Sequence, residues 1–348
     1  MYRNHSIALV IPAYNEARLI VPTLKSVPSE VDRIFVVDDC STDGMDKVVL
    51  EMQKDDSRIH LIRHTINQGP GAGIISGYKS TINENLDIAV VVGGDNQMPL
   101  DEMYRFLDPI IDDYTDYAKG NRFMEKGNAF RDMPKLRLVG NTIISLMTKI
   151  SSGYYHIFDV VDGYTAINKR ALQLVDWDSA WKKYGYPMDF LMRLNVEGLR
   201  VIDIPRRAIY LPGERQSQIK GLHYAINVSP MLLKNFIHRM IFKYVFSNFH
   251  PLVFLFFFGA FFLVLGLGVG FYILFEKFFH DIIPSAGITS ICALFISLGA
   301  QSTFFAMFFD MQEGMGYQRN FGNYLTDIRK INSNPDHRSK KNNINKES

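Results

Sequence analysis

Residues 87–99 read DIAVVVGGDNQMP, and this stretch predicts both a strand and a site at its end. The run of Ile, Ala and Val is short and continuously apolar, which is typical of a strand buried on both faces of a parallel sheet. Two glycines end the run, and Asp95, Asn96 and Gln97 follow before Pro99. A carboxylate at the tip of a buried strand indicates an ion or substrate site, although a divalent cation usually takes more than one anionic oxygen.

Three further apolar runs precede this one, and helical patterns lie between them. Strands are expected at residues 7–12, 33–39, 59–64 and 87–94, and helices at 16–26, 43–53, 72–82 and 101–111. This alternation predicts a doubly wound α/β fold, in which ligands bind outside the carboxyl ends of the strands. The residues that follow each strand are therefore the candidate site residues.

Each of the other strand ends carries residues that suit a ligand. PAYNEA (12–17) opens the first helix, and DDCSTDG (38–44) places two adjacent acids, Asp38 and Asp39, at a strand tip. Adjacent buried acids are costly unless they accept hydrogen bonds, for example from a base or a ribose. NQGPGAG (67–73) resembles a phosphate cradle, but its spacing matches neither the dinucleotide fingerprint nor the P-loop, and a tight turn for close helix packing is the alternative.

The stretch at Asp95 can form a metal site if the substrate supplies oxygens. Asp95 and Gln97 are two apart, so on an extended segment they are expected to point the same way. Mg²⁺ often takes one or two carboxylates and completes its shell with water and substrate phosphates. One Asp is therefore sufficient if the substrate brings a diphosphate.

The carboxyl-terminal part of the chain predicts a membrane hairpin. Residues 251–275 and 284–309 contain no charged side chain, and each is longer than the roughly 20 residues that cross a bilayer. Lysine and arginine flank both ends of this region, whereas the connection EKFFHDII holds one lysine. The distribution predicts an integral protein of the cell membrane with its catalytic domain and both termini in the cytoplasm. The formal net charge of +2 gives no reason to expect a nucleic-acid partner.

Residues 228–249 predict an amphipathic helix that lies at the membrane surface. One helical face is apolar, and the other carries Lys234, His238, Arg239 and Lys243, a pattern that suits anionic lipid. An ordinary surface helix packed on its own domain is the alternative. The resulting domain plan is a catalytic domain at 1–226, a juxtamembrane helix at 227–250, a two-span hairpin at 251–309 and a basic tail at 310–348.

The ordered motifs resemble a known family. VIPAYNE, VVDDCSTDG, NQGPGAG and GGDNQMP occur in the order and spacing seen in family-2 glycosyltransferases. Downstream, GNRF, VDGYTAINKRAL, GYPMDFLMRLNVEG and YLPGERQSQIK look like the polyprenyl-phosphate glycosyltransferases, a subgroup that includes dolichol-phosphate mannose synthases. Each motif alone is weak, but the set covers about residues 5–310.

The resemblance implies an A-type nucleotide-sugar domain with a doubly wound mixed sheet. It further implies inverting transfer of a hexose-type sugar from a UDP- or GDP-linked donor to polyprenyl or dolichyl phosphate, with Mg²⁺ or Mn²⁺ as cofactor. The implied metal ligands are Asp95 and Gln97, and the implied catalytic residues are Asp95, Asp189, Arg122 and Arg215. The implied donor-binding residues are Pro12, Tyr14, Glu16, Asp38, Asp39, Gly69 and Asp95, and the implied acceptor-phosphate residues are Arg122, Arg131, Arg215, Ser217 and Lys220.

Two features depart from the family or leave a role open. The family reads Asp-x-Asp-x-Gln where this chain has Gly93 at the first position, so this chain lacks the first acid of that motif and whatever that acid contributes to metal or ribose binding. A lipid phosphate is already ionised at neutral pH and needs no strong base. Asp189 is therefore expected to orient the sugar or line the acceptor site, with a plain acid at a helix N-terminus as the alternative.

The sequence also leaves open other functions and an oligomer. A processive polysaccharide synthase would carry a Gln-x-x-Arg-Trp element, which neither Trp177 nor Trp181 completes. A non-catalytic scaffold that binds nucleotide sugar is a third class, which the loss of the first acid makes worth testing. Gly266 and Gly270 form a GxxxG pair that serves either a homo-oligomer or packing against the second span.

Overall fold

The structure is a computed structural model, and it describes residues 1–124, 135–207, 209, 221–247 and 249–333. Two compact units are present. The first contains Met1–Phe236 and the second is Ile237–Gly316. The candidate site lies in the first unit and the apolar helices lie in the second.

Among the described residues of the first unit, seven strands form one mixed sheet. Their order is β3-β2-β1-β4-β6-β5-β7, and β6 runs antiparallel to both of its neighbours, whereas the other paired strands are parallel. The strands are β1 Ile7–Ala13, β2 Arg33–Asp38, β3 Ile59–Arg63, β4 Ile88–Val91, β5 Tyr117–Asn121, β6 Thr165–Asn168 and β7 Val201–Pro205.

Helices connect the strands of the sheet and lead into the second unit. A 3₁₀ turn, Leu100–Glu102, follows the Asp95 segment, and a π-helix, Phe242–Ser247, follows the eighth α-helix. Within the part of the chain that the structure describes, the α-helices are α1 Ala17–Lys25, α2 Met45–Asp55, α3 Pro70–Asn83, α4 Tyr104–Ile111, α5 Lys135–Ser152, α6 Lys169–Leu174, α7 Tyr186–Val196, α8 Gly221–Ile241, α9 Leu252–Phe279 and α10 Ala286–Ser333.

The sheet is buried on both faces, which explains the continuous apolar runs. Along β1, Ala8 and Val10 point into one core cluster, while Ile7, Leu9 and Ile11 point into the other. Helices α3, α7 and α8 contribute to the first cluster, and α1, α2 and α4 to the second. Successive residues of a strand face opposite sides, so a strand between two cores must be apolar at every position. The predicted doubly wound α/β class is confirmed.

The second unit contains the two apolar helices that the sequence predicts. Leu252–Phe279 and Ala286–Glu313 are each long and apolar enough to cross a membrane, and only 22% and 11% of their most apolar windows are buried inside the protein. Core helices of soluble proteins are mostly buried, so the exposed apolar surface suits lipid. The predicted spans 251–275 and 284–309 lie largely within these helices.

Glycines hold α9 and α10 together. A Cβ at Gly259 would lie 2.5 Å from Thr303 Oγ1, and one at Gly266 would lie 2.8 Å from the backbone nitrogen of Ile296. On α10, a Cβ at Gly299 would lie 2.6 Å from the nitrogen of Leu263. Gly266 of the GxxxG pair therefore serves packing between the two helices of one chain.

A buried ion pair joins α8 and α10 within the second unit. Arg239 is fully buried, and its guanidinium donates to both carboxylate oxygens of Asp310 at 2.6 and 2.8 Å. The hydroxyl of Tyr244 donates to the same carboxylate at 2.5 Å. The expectation that Arg239 lies on an exposed polar face is therefore wrong, because the helix turns this cation inward to meet Asp310.

Two element boundaries differ from the domain plan. Helix α8 begins at Gly221 rather than near residue 227, and α10 continues to Ser333, well past residue 309. The plan placed its boundaries where hydropathy changes. A helix can continue through such a change because its backbone hydrogen bonds do not depend on side-chain polarity.

Candidate active site

A cavity of about 380 Å³ opens at the carboxyl ends of β1 and β4. Segments that follow β1, β2 and β4 meet there with the start of α3, and the reversed strand β6 brings Gly163, just ahead of it in the chain, to the same edge. Eighteen residues line the cavity: Pro12, Ala13, Tyr14, Glu16, Asp39, Asn67, Gly69, Pro70, Gly73, Val91, Val92, Gly93, Gly94, Asp95, Met98, Gly163, Tyr184 and Tyr186.

Most of the predicted donor-binding residues line this cavity. Pro12, Tyr14, Glu16, Asp39, Gly69 and Asp95 are all among the lining residues. Asp38 is not, since its side chain is fully buried, accepts from the backbone nitrogen of Ser41 at 2.8 Å and lies 3.3 Å from Arg63 Nε. The two adjacent acids therefore have different surroundings.

Asp39 shapes the glycine-rich turn. Its carboxylate accepts from the backbone nitrogens of Gln68 at 2.9 Å and Gly69 at 2.7 Å, and it lies 2.8 Å from His64 Nδ1. The ring of His64 in turn reaches Ser76 Oγ at 2.9 Å. These contacts satisfy a buried carboxylate and fix the entry to α3. His64 was not identified from the sequence, although it follows β3 and could have been found as a strand-end residue.

The backbone around Asp95 is a turn. β4 ends at Val91, and Asn96 has a φ of 53°, in the left-handed region that Asn tolerates better than most residues. The expectation that Asp95 and Gln97 point the same way from an extended segment is therefore wrong. Instead the backbone nitrogen of Gln97 donates to Asp95 Oδ1 at 3.2 Å, and the Gln97 side chain is not among the cavity-lining groups.

Two carboxylates in the cavity are electrostatically strained. Burial raises the pKa of Asp95, and the hydrogen bond from Gln97 only partly offsets it. Burial also raises the pKa of Glu16, and the negative charges of Asp95 and Asp43 raise it further. A cation bound between Asp95 and Glu16 would relieve this strain.

The carboxylates of the cavity suit a divalent ion whose coordination shell is completed by a substrate. Among the residues that the structure describes, no group of three or more His, Cys, Asp or Glu side chains could hold a metal. Asp95 and Glu16 line one cavity, and two carboxylates are the number that Mg²⁺ commonly takes from protein when phosphates complete the shell. Asp95 and Glu16 are thus suited to such an ion.

The glycine-rich turn packs against the segment before α7. A Cβ at Gly69 would lie 2.8 Å from the Lys182 carbonyl oxygen, and one at Gly71 would lie 2.5 Å from that of Trp181. Gly69 also has a φ of 100°, which side chains rarely allow. This close approach supports the tight-turn interpretation, and Gly69 lines the cavity as well.

Arg122 belongs to a buried ion network beside the cavity. Its Nε and Nη2 donate to the two carboxylate oxygens of Asp159 at 2.7 Å each, and its Nε lies 3.5 Å from Asp162. Arg206 Nε donates to Asp162 at 2.7 Å. Burial alone would raise the pKa of Asp162, but the two guanidinium groups outweigh it and hold that pKa below its usual value.

Two further groups complete the network. The ammonium of Lys119 lies 3.2 Å from Asp203 and donates to the carbonyl oxygens of Phe158 and Asp159 at 2.8 Å. The network therefore contains Lys119, Arg122 and Arg206 against Asp159, Asp162 and Asp203. Asp162 of this network is the residue directly before Gly163, which lines the cavity.

The remaining predicted residues lie elsewhere. Asp189 is buried in the first turn of α7 and is not among the cavity-lining groups. The predicted acceptor residues Arg131, Arg215, Ser217 and Lys220 lie outside the described residues, so their roles stay predictions, as does that of Arg122.

Tyr184 and Tyr186 line the cavity but were not identified from the sequence. Tyr186 is largely buried, and burial raises the pKa of its hydroxyl well above the ordinary value. Aromatic rings in a cavity suit a base or a sugar face. Both residues lie far along the chain from the lining residues of the β1 segment, and no local pattern in the sequence connects them.

Comparison with known proteins agrees with this geometry. Residues 8–175 match the model of glycosyl transferase family 2. The UDP-N-acetylglucosamine–dolichyl-phosphate N-acetylglucosaminyltransferase of Methanococcus voltae is 30% identical over 217 residues, which cover 59% of this chain and 86% of that protein. The undecaprenyl-phosphate mannosyltransferase of Micrococcus luteus is 26% identical over 199 residues, which cover 56% of this chain and 80% of that protein.

A solved structure extends over more of the chain at lower similarity. A mannosyltransferase from Pyrobaculum calidifontis, in complex with GDP-mannose and Mn²⁺, is 14% identical with a TM-score of 0.42 and covers 87% of this chain and 88% of that chain. A similarity this distant carries no inference about the ligands of this chain.

Proposed function

The chain belongs to glycosyl transferase family 2, and on that premise we propose that it transfers a hexose-type sugar from a UDP- or GDP-linked donor to a polyprenyl or dolichyl phosphate. The observation that carries the choice of a lipid acceptor is the pair of apolar helices that follows the glycosyltransferase domain. The names of the two relatives, which specify dolichyl and undecaprenyl phosphate, support the same acceptor class. The cytoplasmic face of the membrane is proposed from the lysine and arginine distribution.

The cavity suits the nucleotide sugar. Its volume of about 380 Å³ lies within the range of small-molecule sites, and its lining combines carboxylates, glycines and two tyrosines. Pro12, Tyr14 and Asp39 are proposed to contact the nucleoside, and Tyr184 and Tyr186 to provide flat apolar surface. The glycines at the entry to α3 allow the ligand to approach the backbone closely.

The leaving nucleoside diphosphate is the group that needs stabilisation. When bound, Mg²⁺ or Mn²⁺ would neutralise the charge that develops on the departing diphosphate. Asp95 is proposed as its principal protein ligand, with Glu16 as the second carboxylate, since both line the cavity. Gln97 stays a proposed ligand, but the described turn uses its backbone to orient Asp95.

The acceptor is proposed to attack the anomeric carbon with inversion. A phosphate monoester carries its negative charge at neutral pH, so no side chain has to remove a proton first. Cationic side chains must bring this anion to a site that already holds a diphosphate, and Arg side chains suit phosphate geometry. Arg122 is proposed to contribute through the ion network, and Arg131, Arg215, Ser217 and Lys220 stay predicted contacts.

The experiment that tests this function is transfer in a bilayer. Full-length protein in vesicles containing polyprenyl phosphate is given each common radiolabelled UDP- or GDP-sugar, and the product is extracted into butanol. The expected product is one sugar on the lipid, formed only with a divalent cation and abolished by EDTA. The variant Asp95→Asn should lose about 10²–10³-fold in kcat. The control is Asp55→Asn, which removes one negative charge at an exposed position and should leave kcat unchanged.

The other outcomes separate the alternatives. Absence of transfer from every donor contradicts the proposal, and nucleotide binding without transfer favours a scaffold. A long sugar polymer in place of a single sugar favours a processive synthase. Full activity of Asp95→Asn would contradict the metal assignment alone.

A further inference from the structure

One wall of the cavity depends on a short loop. Residues 181–185, called the wall loop below, precede α7, and this stretch contributes Tyr184 to the cavity, close to Tyr186 at the start of the helix. The carbonyl oxygen of Lys182 accepts from the backbone nitrogen of Ala72 at 3.1 Å. Because the loop rests directly on the glycine-rich start of α3, a small displacement of it would change the shape of the cavity.

Asp189 holds the wall loop from behind. Its Oδ2 accepts from the backbone nitrogen of Trp181 at 2.9 Å and from Arg193 Nε at 2.7 Å. The guanidinium of Arg193 also donates to the carbonyl oxygens of Asp176 at 3.0 Å and Ser179 at 2.5 Å, just ahead of the loop. The carboxylate therefore connects the beginning of the loop to α7.

The second oxygen of Asp189 is occupied by a residue of α8. Asn235 Nδ2 donates to Asp189 Oδ1 at 2.9 Å, and the two residues are 5% and 3% exposed. Near the end of the loop, a Cβ at Gly185 would lie 3.2 Å from Val228 and 3.5 Å from Met231, so α8 also packs against this end. Gly185 has a φ of 106°, which fixes the direction in which the loop enters α7.

These contacts account for both carboxylate oxygens of Asp189 without a substrate. A group that contacts a sugar needs an oxygen directed to the cavity, whereas Asp189 directs its oxygens to Trp181, Arg193 and Asn235. A buried charged hydrogen bond of this kind is costly to break because the carboxylate would be left unsatisfied.

We propose that Asp189 and Asn235 form a positioning pair that holds the wall loop, and with it Tyr184 and Tyr186, in the geometry that binds the donor. The pair acts through the loop and does not touch the reacting atoms. The proposal rests on the proposed function for the identity of the donor, but the order of the wall loop is independent of it.

The sharpest test exchanges the two side chains. Asp189→Asn and Asn235→Asp are made singly and together in the full-length protein. In the double variant the amide introduced at position 189 can donate to the carboxylate introduced at position 235 and still accept from the Trp181 nitrogen. The hydrogen-bond pattern is thus retained with the charge moved to α8.

The kinetic expectation follows from a role in binding alone. The single variants should raise the donor KM about tenfold or more with kcat changed less than about threefold, and the double variant should recover most of that loss. Asn227→Asp, at an exposed position on the same helix, is the matched control and should leave both constants unchanged.

A second readout does not depend on turnover. Amide hydrogen exchange of the peptide containing residues 181–185 should become about tenfold faster in each single variant and return toward the original rate in the double variant. Each single variant places two amides or two carboxylates opposite each other at positions 189 and 235, which holds the acceptor of the Trp181 amide less firmly, and the double variant restores a complementary pair. Exchange should be unchanged in Asn227→Asp. Asn235→Ser provides a milder loss if Asn235→Asp does not fold.

Specific results would overturn the pair. A fall of about 10²-fold in kcat for Asp189→Asn with unchanged KM and no recovery in the double variant would make Asp189 a group that acts on the substrate. Unchanged exchange of residues 181–185 in Asn235→Ser would equally exclude a positioning role. If the original protein makes no glycolipid, the proposed function fails while the exchange result still decides the pair.

Discussion

Gly93 controls where the carboxylate of Asp95 lies. A Cβ at residue 93 would be 3.0 Å from Asp95 Oδ1 and 3.4 Å from its carboxyl carbon, so the carboxylate occupies the space that a side chain at 93 would need. The glycine that replaces the usual first acid thus lets Asp95 fold over the backbone in the turn. Glu16 supplies the other carboxylate of the cavity.

Gly93→Ala tests this spatial role. The added methyl group should displace Asp95 and lower Mn²⁺ affinity about tenfold or more, because ligand orientation controls metal affinity. The measurement is titration of Mn²⁺ by electron paramagnetic resonance in the presence of the nucleoside diphosphate product. Gly140→Ala, where a Cβ meets nothing within 4 Å, is the control. Unaltered Mn²⁺ affinity in Gly93→Ala would show that the glycine is not needed for the position of Asp95.

As the pH falls, metal binding should weaken at a higher pH than it would if both carboxylates had their ordinary pKa values. Burial raises the pKa of both Asp95 and Glu16, so the two groups take up protons at a higher pH than exposed acids, and a protonated carboxyl is a poor ligand. Mn²⁺ affinity should therefore be full near neutral pH and decline as pH falls, with a midpoint above the ordinary values of about 4. The same titration repeated across pH checks this, and constant affinity down to about pH 4 would contradict it.

At the scale of helices and strands, substitutions at two glycines of α9 can test the close contact between α9 and α10. A Cβ at Gly259 would collide with Thr303 and Gly299, whereas one at Gly268 meets nothing within 4 Å. The two glycines lie on one helix and differ chiefly in this space. The same substitution at both glycines therefore separates the effect of helix–helix packing from the effect of helix propensity.

Gly259→Leu should destabilise the second unit, and Gly268→Leu should not. Overpacking of a tight contact costs about 1–3 kcal/mol or more, while the variant at 268 adds apolar surface in open space. The loss should appear as a lower thermal midpoint in detergent micelles and as faster proteolysis between the helices. Equal midpoints for the two variants would mean that the glycine contact does not hold the hairpin.

The early strands could be predicted because burial on both faces leaves a pattern in the sequence. The runs at β1 to β3 match the observed strands within about a residue, as continuous Val and Ile runs require. β5 reads YAKGN and has no such pattern. Its Lys119 can be buried only because Phe158 and Asp203, which are distant in the sequence, supply oxygens for its ammonium group. Likewise, the partner of Arg122 is 37 positions away, and only the folded chain brings them together.

On the scale of the whole chain, the two native cysteines report on orientation. Cys40 is partly exposed in the first unit, and Cys292 is buried in α10. From the lysine and arginine distribution we propose that the first unit is cytoplasmic and that the connection between α9 and α10 is outside. Labelling of thiols can decide this orientation.

A membrane-impermeant maleimide should label Cys40 only after the cells are opened. In intact cells the original protein should stay unlabelled, while Ser285→Cys, at an exposed position before α10, should react from outside. A thiol needs exposure to react, so Cys292 should contribute little in either condition. Labelling of Cys40 in intact cells would reverse the proposed orientation.

The buried ion network beside the cavity restricts how this chain can change over generations. It holds three cations, Lys119, Arg122 and Arg206, against the carboxylates of residues 159, 162 and 203. Replacing one of these charged side chains by a neutral one leaves its partner as an uncompensated buried charge, which costs several kcal/mol. Replacing a cation and its carboxylate partner together leaves no such charge. In descendant sequences we therefore expect a cation and its carboxylate partner among these six positions to be replaced together, and we expect single substitutions there to be rare.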